Sequence, residues 1–276
     1  MGGCACPQDS ASPDVVVVND IASLQVCDGK TFSSTARESR RAYRFENGNE
    51  YSGEWLNGVQ DGYGVQVWPD QARYEGQWAN AKAEGRGRLY HADGDMYEGE
   101  WKADKAHGRG VYHHADGSKY EGQWVQDKQS GNGTEEWPGG AKYVGQYRNS
   151  QKHGTGRFSW EDGSMYEGEF ADNDIHGEGV YTWGDGRKYE GQWAHNRIHG
   201  KGLFSWSDGR SYEGEYKCDQ KEGAGVFKWP DGRKYVGQWK DGKQHGFGTY
   251  STSKGDNRDG EWEEGRRTRW ILKDQD

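Results

Sequence analysis

Apolar and polar residues alternate in short bursts along this chain, and the bursts return at a fixed step. In Tyr189-Glu190-Gly191-Gln192-Trp193 the odd positions are aromatic or glycine and the even ones polar. That is the period-two pattern of a strand buried on one face. A polar and mixed connection, Ala194–Ile198, follows. Then His199-Gly200-Lys201-Gly202-Leu203-Phe204-Ser205-Trp206 alternates again, with Gly202, Phe204 and Trp206 on one side. Ser207-Asp208-Gly209 closes the unit, because Asp-Gly marks a reversal in which glycine accepts a positive φ. Each copy is predicted to be two short antiparallel strands and two reversals.

Tyrosine opens the pattern at Tyr51, Tyr74, Tyr97, Tyr120, Tyr143, Tyr166, Tyr189, Tyr212 and Tyr235, always 23 residues apart. The GxG of the second strand keeps the same step from Gly62/Gly64 to Gly246/Gly248. Nine copies without an insertion predict one stacked array rather than nine domains. A worn tenth copy, Arg258-Asp259-Gly260-Glu261-Trp262, has arginine where tyrosine belongs. Mid-strand glycine costs about 0.5–1 kcal/mol relative to alanine. Its return in every copy implies that a neighbouring ring lies across the backbone there and offsets the loss. Buried rings cover roughly 150–250 Å² each.

These residues resemble the MORN repeat (membrane occupation and recognition nexus), with the pattern YEGEWxxGxxHGxGxxxxxDGxxY. Tyr97-Glu98-Gly99-Glu100-Trp101 followed by His107-Gly108-Arg109-Gly110 is a close match, and the resemblance runs from Tyr51 to about Gly248. It implies an all-β fold: an elongated, single-layer, twisted antiparallel sheet of tandem hairpin repeats, with one aromatic face and one polar face. At about 4.8 Å per strand, the implied rod is on the order of 90 Å long. The expected organisation is a flexible segment over 1–42, nine repeats over 43–250, and the worn repeat with a cap over 251–276. Arg266–Leu272 is the candidate cap, as a strand or short helix laying Trp270 and Leu272 on the last copy.

Composition sharpens this picture. Only 31% of residues are apolar, but 45 glycines, 14 tryptophans and 17 tyrosines stand at phased places. Disordered chains are poor in aromatics, so a thin sheet with an aromatic spine is the better reading. A net charge of −9 argues against a general nucleic-acid surface. Cys4, Cys6, Cys27 and Cys218 make no disulfide framework, which fits a reducing compartment. No run approaches the ~18 apolar residues of a membrane span.

No catalytic constellation emerges. His107, His153, His176, His199 and His245 share one phase before GxG, as expected of loop or strand-end residues bonded to the neighbouring copy. His91 and His114 fall in the tryptophan column as packing variants. The Gly-x-Gly pairs open no helix and precede no Lys-Ser/Thr, so they are not phosphate cradles. Neither a cofactor nor a metal is expected.

Three functional expectations remain. The first is a scaffold that binds an extended peptide or helix of a partner protein, or pairs with a second copy. Its expected groove is the richest aromatic stripe: Phe158, Trp160, Tyr181, Trp183, Phe204, Trp206, Phe227 and Trp229. The second is membrane attachment. Removal of Met1 would expose Gly2 for myristoylation, although Cys6 stands where the usual pattern has Ser or Thr. Cys4 and Cys6 are palmitoylation candidates, and two chains anchor stably where one binds reversibly. A plain flexible end is the alternative. Arg37, Arg40 and Arg41 then either meet anionic head groups or are solvated surface. The resemblance points to cytoskeletal, ciliary and membrane-cortex assemblies, so a ciliary axoneme subunit is the third expectation, beside direct phospholipid binding by the repeats. Against the last, no basic position recurs through the polar face.

Overall fold

The computed structural model describes residues 36–271, and among these are 21 β-strands and no helix. Gly2, Cys4, Cys6 and Leu272 lie outside the described residues. The chain divides into two compact units, represented by residues 36–151 and 152–271. In each, successive strands pair antiparallel in a single sheet, as the alternation predicts.

The copy that opens at Tyr189 shows how the sequence does this. Lys188–Ala194 and Arg197–Ser205 form its strands, joined by His195 and Asn196 with φ of 49° and 62°. Two consecutive positive φ values make the tight turn whose twist suits a hairpin. The connection expected over Ala194–Ile198 is therefore only two residues long, and the strands run up to it on both sides. The other reversal is a four-residue turn: Gly209 N donates to Trp206 O (3.0 Å), and Arg210 N donates to Asp208 Oδ1 (3.1 Å). Asp-Gly acts here through both residues, the carboxylate holding the turn and the glycine taking φ +87°.

Register breaks between Gly191 and Trp193, where the GxG strand carries extra residues. Such a bulge leaves a backbone N–H unpaired in the ladder. Lys201 N finds its acceptor in Gln192 Oε1 (2.9 Å), and Arg86 N finds Gln77 Oε1 (2.8 Å) one face along the chain. The second polar residue of YEGQ/YEGE thus closes the bulge and is not simply solvated. Gly200 at the bulge has φ +63°, and a Cβ there would collide with Gln192.

Tyr189 is fully buried, and its ring lies across Gly202 of the paired strand. Its hydroxyl donates to Gln192 O at 3.0 Å, so burial leaves no polar orphan. Tyr189 meets Trp193 edge-on at 5.1 Å and Tyr216 of the next copy at 5.5 Å. The same alternation links Tyr51, Trp78, Tyr74 and Trp101 in the other unit, at 5.1–5.3 Å. Edge-to-face pairs of this kind add about 0.5–1.5 kcal/mol each beyond area burial. This zipper, rather than a globular core, holds the sheet.

Copies are also clamped through their backbones. Asp219 N donates to Ile198 O (2.9 Å), and Ile198 N donates to Asp219 Oδ1 (2.8 Å). Asp104 with Ala83, Asp127 with Ala106, and Asn196 with Ile175 repeat the arrangement. At Gly242 and Gly265 only the backbone half remains. Asp219→Ala is expected to cost about 1–2 kcal/mol, the loss of a bond to a charged acceptor. Hydrogen exchange would show this at Ile198 N–H first, and unchanged protection there would dismiss the clamp.

The ends are closed by strands. Glu38–Arg44 pairs with Glu50–Leu56, and Tyr43 and Phe45 lie against Trp55. Two arginines of the basic cluster are engaged here: Arg37 bonds Asp61 (2.8 Å), while Arg40 pairs with Glu38 and lies over Trp55. The worn copy forms Asn257–Glu263, and Arg266–Trp270 adds the last strand, setting Trp270 at 6.1 Å from Trp262.

Candidate functional site

The eight aromatic residues expected to form a groove all fall on residues 152–271 and do come together. Their rings follow one another along the sheet: Phe158 to Trp160 at 4.4 Å, Trp160 to Tyr181 at 5.1 Å, and Tyr181 to Trp183 at 4.5 Å. The line continues through Phe204, Trp206, Phe227 and Trp229 with centroids 4.4–5.6 Å apart. This is a second aromatic row beside the Tyr/Trp zipper, touching it where Phe227 lies 6.1 Å from Trp239.

The row is less open than the sequence suggests. Phe158, Tyr181 and Phe227 are buried among neighbouring rings. Trp160, Trp183, Phe204, Trp206 and Trp229 are half-buried. The tryptophans begin the Asp-Gly turns, beyond the strand pairing, so one side of each ring stays accessible. Arg187, Arg210 and Arg233 cap Trp183, Trp206 and Trp229 at 5.2–5.4 Å, and each guanidinium is held by the turn aspartate at 2.7 Å. The result is a strip of indole edges with a rim of neutralised arginines.

One cation lies among the rings of the strip rather than on its rim. The Lys221 ammonium lies 5.0–5.2 Å from the ring centres of Trp206, Tyr212, Phe227 and Trp239. It makes no ion pair among the described residues. Burial, and secondarily the charge of Arg210, push its pKa down to about 8.

The opposite face was expected to be simply polar. In residues 36–151 it instead carries an open groove of about 660 Å³, floored by glycines such as Gly87 and Gly110 and walled by Arg86, Arg109, Glu98 and Glu121. Two consecutive copies do place arginine at one phase, a signal readable in the spacing. Large apolar residues also stand on the surface, Phe247 at 62% exposure and Tyr63 at 53%, both between the two glycines of GxG.

The histidines do not make a reactive centre. His107, His153, His176, His199 and His245 lie inside strands and not in loops. Where this slot is acidic it does bond the neighbouring copy: Ala103 N donates to Glu84 Oε2 (2.9 Å) and Asp241 N to Glu222 Oε2 (3.1 Å). Histidines in the slot also face the next copy: His176 meets His195 edge-on at 5.4 Å, and His153 lies 3.6 Å from Asp172. His114 and Tyr112 converge on Asp95, with the Tyr112 hydroxyl donating to Asp95 Oδ2 at 2.7 Å. Burial pushes the Tyr235 hydroxyl up to about 12. No group of three metal-ligating side chains occurs among the described residues. Nor is any helix among them long and apolar enough to cross a membrane.

Comparison with solved structures finds similarity to the TCP10 domain of Danio rerio CPAP in complex with a peptide of Danio rerio STIL. Identity is 11% over 86% of this chain and 99% of that one, with a TM-score of 0.44. The SAS-4 (dCPAP) TCP domain of Drosophila melanogaster, in complex with a proline-rich motif of Ana2 (dSTIL), is 12% identical over 79% of this chain and 99% of that one, with a TM-score of 0.32. No curated protein matches the chain. The MORN repeat profile matches nine times without overlap, at 51–73, 74–96, 97–119, 120–142, 143–165, 166–186, 189–209, 212–232 and 235–257. The fold is an array of tandem repeats, and the chain belongs to the MORN-repeat family.

Proposed function

We propose that this chain is a structural scaffold that holds a partner protein along the aromatic strip of residues 158–229 and is tethered to the cytoplasmic face of a membrane by acyl groups at Gly2, Cys4 and Cys6. One observation carries the binding half: tryptophan edges recur once per copy, half-buried and in line, at Trp160, Trp183, Trp206 and Trp229. Indole is the side chain most enriched at energetically dominant interface positions. A row of such anchors suits an extended segment or a helix face better than a small molecule, which needs an enclosing pocket. The tether is supported by the amino-terminal Gly and Cys pattern alone.

Each half has its own test. Partners captured by proximity labelling in the native cell are expected to fall at least about tenfold with Trp183→Ala/Trp206→Ala, the loss of roughly 1.4 kcal/mol or more. Full retention with a folded variant would remove the strip as the binding surface. Gly2→Ala is expected to shift the protein from membrane to soluble fractions, with loss of myristoyl mass in the intact protein. Unchanged membrane recovery would sink the tether.

A further inference from the structure

Lys221 sets a charge among the rings of the strip. Along the same column as Lys221 stand Ile198, 7% exposed, Ile175, wholly buried, and Lys152, also buried. At Lys221 the apolar filler is replaced by an ammonium with four rings around it. Ring faces are electronegative and offset part of the cost of removing a cation from water. They do not supply the hydrogen-bond acceptors that an ammonium's three N–H groups require.

The nearby charges sharpen the asymmetry. Arg210, whose charge acts on Lys221, is already paired with Asp208 at 2.7 Å. Tyr212 donates its hydroxyl to Glu215 O, and Trp239 donates its indole N–H to Gly225 O. Neither the Tyr212 hydroxyl nor the Trp239 indole N–H is thus turned to the ammonium, and two of the four rings, Trp206 and Phe227, belong to the strip. We infer that Lys221 is the receptor for a carboxylate delivered by the partner, so that the strip recognises an extended segment in which an acidic side chain sits between apolar ones.

The pitch of the sheet fits such an occupant. Two strands per copy at about 4.8 Å place successive tryptophans roughly 10 Å apart. Three residues of an extended or polyproline II segment span about the same distance. An apolar side chain at every third position would therefore meet Trp183, Trp206 and Trp229 in turn. The acid enters between the second and third, where the Trp206 and Phe227 rings flank Lys221. Apolar anchors supply adhesion, and the carboxylate at Lys221 favours one register among neighbouring copies, where the same slot holds Ile198, Ile175 and Gln244. Specificity on a periodic track needs such a mark, because a one-copy slip would otherwise cost little.

This inference rests on the strip being the binding surface, and the test separates the two. A phage-displayed library of random peptides is selected against the whole protein, and the best binder and its Glu→Gln (or Asp→Asn) analogue are titrated by fluorescence polarisation. Wild-type selection is expected to enrich an acidic residue between apolar ones. Lys221→Met and the peptide's amide analogue are each expected to weaken binding about tenfold or more, without adding when combined, since both remove the same charged bond. Lys221→Arg should keep the acidic preference. Binders that depend on Trp183 and Trp206 but ignore Lys221 would overturn the carboxylate receptor and leave the strip standing. Binders indifferent to Trp183→Ala and Trp206→Ala would overturn both. A dimer in light scattering that Trp206→Ala dissolves would mean that a second copy occupies the strip, and it too would overturn the inference.

Discussion

Tyr189→Ala is expected to lower stability by about 3–5 kcal/mol, whereas Tyr189→Phe should cost only about 1 kcal/mol. The difference separates the ring from its hydroxyl. The ring fills the space over Gly202, meets Trp193 and Tyr216 edge-on, and is wholly buried. The hydroxyl makes a bond to Gln192 O within the same strand. Because each copy touches chiefly its neighbours, the loss should not spread evenly. Hydrogen exchange is expected to quicken across residues 166–228 while Tyr74 and its surroundings keep their protection. Uniform loss of protection, or a phenylalanine variant as weak as the alanine one, would contradict the zipper.

Gly202→Ala attacks the same contact from below and should be nearly as damaging. The new Cβ would lie 2.5 Å from Tyr189 Cζ, and closer still to the hydroxyl oxygen. Overpacking of this kind costs about 1–3 kcal/mol, and more where neither neighbour can yield. Here the ring is pinned by its own hydrogen bond and by two aromatic neighbours, so a value at or above about 3 kcal/mol is expected in urea unfolding. Coupling provides the decisive check. With Tyr189 already alanine, Gly202→Ala should become almost harmless and return toward the small preference of a strand for alanine over glycine. Full additivity of the two changes would show that the ring and the glycine do not meet.

Much of this was readable from spacing. The phase of Tyr189, Gly191 and Trp193 put them on one face, and the cost of mid-strand glycine already required a ring over Gly202. What spacing could not show were contacts made between copies at turns. Asp219 reads as an ordinary polar turn residue, yet its carboxylate closes on Ile198 N twenty-one residues earlier. The reach depends on two consecutive positive φ values, which Cys218 and Asp219 adopt without glycine. Likewise Arg86 and Arg109 stand 23 residues apart, but spacing does not show that they wall one groove. Alternation assigns Phe158, Tyr181, Phe204 and Phe227 to one face but not to one depth: Phe204 stays half-buried while the other three are buried, although all four pair with a zipper tyrosine. Lys221 looked like one more lysine until the rings of neighbouring copies were set around it.

The short reach of every clamp also bears on how the chain is made. Tyr189, Asn196 and Asp219 reach partners about one repeat away in sequence: Tyr216, Ile175 and Ile198. Low contact order favours rapid folding, because little loop entropy is lost before a contact forms. A ribosome releasing this chain would free each hairpin with its predecessor already in place as a template. Ordering should thus advance from the amino-terminal side one copy at a time, with a single unfinished edge exposed at any moment.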